Sequence, residues 1–393
     1  MHRPILRLSL ALLLLATVPA RGEPTIVVDV QTGAVLSHSD AFKRWYPASI
    51  TKLMTAYLAF KAVREGKLSM KSPVVVTKAA AAQPPSKMGY KVGTVLTLDN
   101  ALKMLMVKSA NDIAVAIAGA VAGSEMEFVD RMNDAAREIG MTDTRFANPH
   151  GLPDDGQYTT ARDLAVLAVT LRRCYPEYDN VFNIEALKVG KGIIRNYNIL
   201  IGRYAGADGM KTGFVCASGF NLAGSATRNG RTLVAIVLGA KSQEARAETA
   251  ANLLEDGFAR DPSNFPRLDA LAPYGENRTQ VANIRNQICT KEAADTRYDG
   301  RDVDGHLVFR SPYLSAMARA PVAVPVGPGG ATGPAAANTV LADVPLPTFR
   351  PDDAPVFVAP AEPAAKAEAP GIANELRGTP APDVPLPTFR PTI

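Results

Sequence analysis

The chain has 393 residues, of which 43 are basic and 38 acidic, for a formal charge of +5. The two signs are interspersed, and no basic stripe with interleaved aromatics occurs, which argues against a nucleic-acid partner. Three cysteines, Cys174, Cys216 and Cys289, are too few and too scattered for a disulfide scaffold or a zinc site, so no metal and no cofactor is implied. One bridge with one thiol left over fits an oxidising compartment, and the spacing does not choose the pair.

The first elements in chain order concern export. "MHRPILRLSLALLLLATVPA" carries Arg3 and Arg7, an apolar run from Leu8 to Val18, and small residues at its end. This three-part pattern predicts a signal peptide over residues 1–22, with cleavage after Ala20 or Gly22. A membrane span needs about 20 apolar residues, more than this run supplies. A periplasmic, exported protein is the expectation.

Residues 23–258 read as one folded unit. "TIVVDVQTGAVLSHS" holds two apolar runs around Gln31-Thr32-Gly33, a hairpin signal. "WYPASITKLMTAYLAF" then turns from an irregular segment into a helix, with Leu53, Ala56, Tyr57 and Phe60 on one face. Up to about Arg173 the chain is mostly helical, since "TLDNALKMLMVKSANDIAVAIAGAVAG" and "SEMEFVDRMNDAAREIG" repeat apolar residues every three to four positions and end at glycine. "SGFNLAGSATRNGRTLVAIVLGA" returns to strands, with Asn229-Gly230 as the hairpin turn. A last helix follows over "SQEARAETAANLLEDGF". Strands at both ends with helices between predict an α/β (α+β) fold. Its N- and C-terminal segments share an antiparallel sheet beside a mainly helical lobe, with a cleft at the junction.

Residues 259–317 are expected to be a linker or a small extra module. From residue 318 to 393, Ala, Pro, Val and Gly dominate, a composition that does not repay the entropy of ordering, and a disordered tail is predicted. "DVPLPTFRP" occurs there twice, at Asp343–Pro351 and Asp383–Pro391, either as a duplicated spacer or as a bivalent linear motif for a protein partner. The prolines of "VPLPTFRPTI" forbid an amphipathic helix, so no helical membrane anchor is expected.

Three short motifs carry the chemistry. Ser49 and Lys52 stand three apart at a helix start, where Lys52 would lean over the serine hydroxyl and the helix N-terminus would favour an oxyanion. Alone, Ser-x-x-Lys is weak, because a chain this long shows roughly one such match by chance and serine is a favoured cap. "KSANDIA" adds Ser109-Ala110-Asn111 between two helical halves, and "DGMKTGF" adds Lys211-Thr212-Gly213 at the entry to the closing strands. Ser-x-x-Lys, Ser-x-Asn and Lys-Thr-Gly in this order form the signature set of penicillin-binding proteins and class A β-lactamases.

The chain resembles the low-molecular-mass penicillin-binding proteins that act as serine-type D-alanyl-D-alanine carboxypeptidases. The likeness runs from about Glu23 to Phe258 and includes "RMNDAAREIGMTDTRFANPHGLP", "YTTARDLA" and "RNYNILIGRYAGADGMKTGF". It departs at Gln157 and Phe214, where the family often has other residues; both departures bear on substrate preference and remove no catalytic group.

The resemblance implies that Ser49 is acylated by the penultimate D-alanine of a peptidoglycan stem peptide, with Lys52 as general base. Ser109 relays the proton and Asn111 holds the substrate amide. The backbone of Ser49 and Phe214 forms the oxyanion hole, and Lys211, Thr212, Gly213 and Arg246 bind the substrate. β-Lactam antibiotics would acylate the same serine. Arg246 has an equal claim to be a solvated helix charge. His150 in "NPHGLP" reads as a loop histidine, not as a member of a catalytic triad. Competing readings are a D,D-endopeptidase, a β-lactamase, and a non-catalytic wall-binding scaffold. The second is disfavoured because none of Glu125, Glu127, Glu138, Glu177 and Glu185 has Asn four residues later.

Overall fold

The computed structural model describes residues 23–296 and 307–335. The signal-peptide expectation and both copies of the repeated motif lie outside the described residues.

The chain opens with strands β1 (Thr25–Asp29) and β2 (Val35–Ser39). Helix α1 (Lys52–Arg64) follows a tight turn at Ala48–Thr51. A short strand pair, β3 (Pro73–Val75) and β4 (Val95–Thr97), brackets the small helix α2 (Lys78–Ala81). The helical lobe continues with α3 (Leu98–Val107), α4 (Asn111–Ala122), α5 (Glu125–Glu138) and α6 (Ala161–Cys174). After the small hairpin of β5 (Ala186–Val189) and β6 (Gly192–Arg195) come three long strands, β7 (Ala207–Val215), β8 (Gly219–Arg228) and β9 (Arg231–Ala240), and then α7 (Gln243–Phe258).

The first and last strands share one sheet. Its order is β2-β1-β9-β8-β7, antiparallel throughout, with β1 paired to β9 from Thr25 opposite Val237 to Asp29 opposite Leu233. Alternation assigns the two faces. Ile26, Val28, Val234 and Ile236 point into the core shared with the helical lobe. Val27, Leu36, Leu233, Ala235 and Val237 point the other way, against Ala247, Ala250, Ala251 and Leu254 of α7. The β8–β9 hairpin closes on Asn229 and Gly230, whose φ angles of 50° and 76° give the turn whose twist suits an antiparallel pair. β7 is left as an edge strand, and it carries Lys211, Thr212 and Gly213.

Helix α1 is apolar nearly all round, and Leu53, Met54, Ala56, Ala59 and Phe60 are fully buried, as a helix through the middle of a lobe must be. Leu53, Met54 and Phe60 each contribute roughly 1.5–3 kcal/mol by leaving water, and the alanines less. That burial anchors the helix whose first residue is Lys52. α5 is amphipathic by contrast, burying Phe128, Met132, Ala135 and Ala136 and starting on a Ser124 side-chain cap.

The C-terminal part differs from expectation at one boundary. Chain beyond Ala318, assigned by composition to a disordered tail, remains packed on the protein through residue 335. Arg319 makes a two-pronged pair with Glu185 at 2.7 Å. The strand β10 (Ala323–Pro325) pairs in parallel with β5. Gly327 O accepts from Asn100 Nδ2 at 2.9 Å, and Gly329 N donates to Val95 O at 2.8 Å. Composition misses this because the contacts that hold the segment are non-local: pairing with β5, the Arg319–Glu185 pair, and Val326 buried in the core. Nor do the described residues of 259–317 stand apart as a module. Ala282 N donates to Arg44 O, Ile284 N donates to Ala217 O, and Ser311 Oγ donates to Asn252 Oδ1 at 2.6 Å. A disulfide joins Cys216 to Cys289 across 73 residues, and Cys174 is free and exposed.

Candidate active site

Ser49 lies in the tight turn before α1, entered through Ala48 at a φ of 49°. The turn is held from behind by Asn221, which is fully buried on β8. Its Nδ2 donates to Tyr46 O at 2.9 Å, and its Oδ1 accepts from Gly239 N at 3.0 Å. On the other side β7 comes so close that a Cβ on Gly213 would lie 2.9 Å from Ser49 N. Only glycine at that place lets the strand run beside the backbone of the serine.

Lys52 is fully buried, and its Nζ is 3.0 Å from Ser49 Oγ, 2.8 Å from Asn111 Oδ1 and 2.6 Å from His150 O. These three oxygens aim the amine at the serine. Burial, first, and the charge of Lys211, second, hold its pKa well below the ordinary lysine value, while the charge of Asp112 pulls it the other way. A neutral amine is the form that accepts a proton from the hydroxyl.

Ser109 and Asn111 sit where α3 gives way to α4. Ser109 takes the left-handed φ of 60°, which turns the chain between the two helices, and Asn111 is the first residue of α4. Ser109 Oγ is buried with no hydrogen-bond partner among the described residues. Asn111 is pinned through its N–H to Ser86 O at 2.7 Å and through Nδ2 to Pro84 O at 2.9 Å.

On β7, Lys211 is buried and its Nζ donates to Thr212 O at 2.9 Å. Burial and the charge of Arg246 bring its pKa down to about 7. Arg246 is also buried, which removes the solvated-charge reading. Its Nη2 donates to Tyr197 O at 2.9 Å, and its pKa falls to about 10 through burial, opposed by Glu244. Two buried basic groups therefore lie close enough to repel one another. Phe214 follows them, its ring 4.2 Å from that of Phe220.

His150 contributes its backbone oxygen and not its ring. Burial and Lys52 lower its pKa to about 3, and Nδ1 accepts from Leu152 N at 3.1 Å. Gln157 is buried beneath the same loop, accepting from Ala147 N at 3.2 Å and donating to Leu152 O at 3.1 Å. Its place in this chain is that of a loop pin.

Sequence reasoning gathered Ser49, Lys52, Ser109, Asn111, Lys211, Thr212, Gly213, Phe214 and Arg246; among these the structure joins Ser49, Lys52 and Asn111 by hydrogen bonds, sets Gly213 against Ser49 N, and couples Lys211 to Lys52 and Arg246 to Lys211 by charge. It missed Asn221 and the carbonyl of His150. A polar Asn inside the apolar run "GFNLAG" was the available signal for the first.

An antiparallel sheet with a helical lobe, a Ser-x-x-Lys turn between them and a lysine-bearing edge strand define the penicillin-binding class of fold. The family model described as D-alanyl-D-alanine carboxypeptidase, Peptidase S11, matches residues 17–242, and the chain belongs to that family. It is 32% identical over 258 residues to D-alanyl-D-alanine carboxypeptidase DacA of Haemophilus influenzae, covering 64% of this chain and 65% of that one. Against DacC of Escherichia coli it is 35% identical over 240 residues, 59% of this chain and 60% of the relative. The chain thus spans less than two thirds of the length of these relatives. Among solved structures, DacD from Francisella tularensis superposes with a TM-score of 0.59 at 29% identity, over 62% of this chain and 72% of that one. Penicillin-Binding Protein D2 from Listeria monocytogenes, in its ampicillin-bound form, gives 0.53 at 30% identity over 60% and 97%.

Proposed function

We propose that the protein is a serine D-Ala-D-Ala carboxypeptidase of the periplasm that removes the terminal D-alanine from peptidoglycan stem peptides and is acylated by β-lactams. The observation that carries this reading is the fully buried Lys52 amine, 3.0 Å from Ser49 Oγ and depressed in pKa by burial and Lys211.

Ser49 Oγ attacks the carbonyl carbon of the penultimate D-alanine as its proton passes to Lys52 Nζ. The oxyanion is met by the N–H groups of Ser49 and Phe214, where the close approach of Gly213 brings the two backbones together. The peptide C–N bond breaks as the proton moves, by way of Ser109 Oγ, to the departing D-alanine nitrogen. Water then attacks the ester carbonyl, Lys52 taking its proton, and Ser49 is regenerated. Asn111 holds the substrate amide. Lys211, Thr212 and Arg246 take the terminal carboxylate, and an anion there offsets the mutual repulsion of two buried cations.

The test is release of free D-alanine from a peptide ending in D-Ala-D-Ala, with Ser49→Ala as the control. Release that persists in the variant removes Ser49 from the mechanism, and no release by the unmodified protein removes the function.

A further inference from the structure

Behind the reacting groups sits a buried carboxylate that the mechanism above does not use. Asp112 is the second residue of α4 and is fully buried. It has no cationic side chain within salt-bridge distance among the described residues. Its oxygens accept backbone N–H groups instead. Oδ1 and Oδ2 each lie 3.0 Å from Met88 N, Oδ2 lies 2.9 Å from Gly89 N, and Oδ1 lies 2.9 Å from Ile113 N. A carboxylate in the first turn of a helix interacts favourably with the helix dipole.

Those bonds have a direct geometric consequence. Met88 and Gly89 belong to the irregular loop that also supplies Ser86 O to Asn111 N and Pro84 O to Asn111 Nδ2. Asn111 Oδ1 in turn accepts from Lys52 Nζ. One continuous path therefore runs from Asp112 through the loop to Asn111 and on to the amine.

The charge matters as well as the bonds. The charged groups facing Lys52 are Lys211 from β7, which opposes its protonation, and Asp112 from α4, which favours it. His150, from the loop under the turn, is neutral over the working range, with its pKa near 3. The other titratable group facing Asp112 is Tyr90 of the same loop, whose hydroxyl is buried and has no hydrogen-bond partner among the described residues.

We propose that Asp112 is a positioning residue of the acylation site, clamping the 84–89 loop onto Asn111 and supplying a buried negative charge that acts on Lys52 in opposition to Lys211. A base that loses all its basicity accepts no proton, and one that keeps all of it is already charged at neutral pH. Asp112 keeps Lys52 between these limits. The inference rests on Lys52 being the base of the proposed reaction.

The experiment is the pH profile of acylation by a fluorescent penicillin, for the full chain and for Asp112→Asn, with Asp112→Glu as the conservative variant. Removing the charge makes Lys52 lose its proton more easily, so the acidic limb moves to lower pH in Asp112→Asn. A shift of about one unit corresponds to a tenfold change in the neutral fraction at fixed pH. Asp112→Glu returns the limb toward its original place. A limb that stays put in Asp112→Asn overturns the proposal, whatever happens to the maximal rate. Absence of acylation in the unmodified protein, by contrast, overturns the carboxypeptidase reading itself. If Asp112→Asn does not fold, amide hydrogen exchange on the unmodified protein decides. Met88 and Gly89 are expected to exchange as slowly as the first turn of α4, and exchange at the rate of open loop amides overturns the clamp.

Discussion

Gly151 lies directly against Ala48. A Cβ built on the glycine would run into the carbonyl of Ala48, and the glycine also holds a φ of 86°. The turn that presents Ser49 is thus propped by the loop whose preceding residue, His150, holds Lys52 by its backbone oxygen.

Gly151→Ala is therefore expected to cost both rate and stability, since the methyl meets backbone and the left-handed φ strains any L side chain. Displacing the turn by about 1 Å costs on the order of 10²-fold in rate. Fluorescent-penicillin labelling rates beside a thermal melt check this. A variant labelled as fast as the parent shows that the prop is dispensable.

Lys52→Met should abolish acylation, and its stability relative to the parent should fall as pH rises. The folded amine has its pKa below the unfolded value, so between the two the unfolded chain binds a proton that the folded one does not, and stability rises with pH across that window. Methionine removes that ionisation penalty but leaves Asn111 Oδ1 and His150 O without their buried donor, so the variant compares best with the parent at low pH and worst toward high pH. Melts across the window test the sign, and a difference that does not grow with pH contradicts it.

Arg246→Ala should weaken use of peptides with a free terminal carboxylate and spare those ending in an amide. Loss of a charge-assisted hydrogen bond of about 1.5–3 kcal/mol predicts a drop of roughly 10- to 150-fold in kcat/KM for the acid. Equal losses on acid and amide would place Arg246 in the scaffold alone.

Replacing Cys216 and Cys289 by serine should lower stability by up to about 4 kcal/mol, the chain-entropy value for a loop of 73 residues. Urea unfolding of the oxidised, reduced and substituted proteins measures it. Unchanged midpoints would mean that non-covalent contacts of the 282–289 segment already suffice.

Much of this architecture is legible in the sequence because local signals agree with the global fold. The Gln31–Gly33 and Asn229–Gly230 turns, the helical periods and the three motifs each point to the element that forms. What stays hidden is non-local. Asn221 reaches Tyr46 over 175 positions, and no pattern of spacing announces that contact. Asp112 reads as an ordinary first-turn acid, and only burial marks it as something more. The packed chain after Ala318 was missed for a related reason. Its bonds reach partners more than a hundred positions away, and composition records no partners.

The Cys216–Cys289 bridge also changes what a single cut in the backbone would mean. Residues 272–280 include several exposed positions and lie inside the covalent ring that the bridge closes. A protease nicking there would produce two polypeptides that separate only after reduction. Everything downstream, both copies of DVPLPTFRP included, would stay fastened within a few residues of Lys211, so the tail and the acylation site travel as one molecule until a thiol parts them.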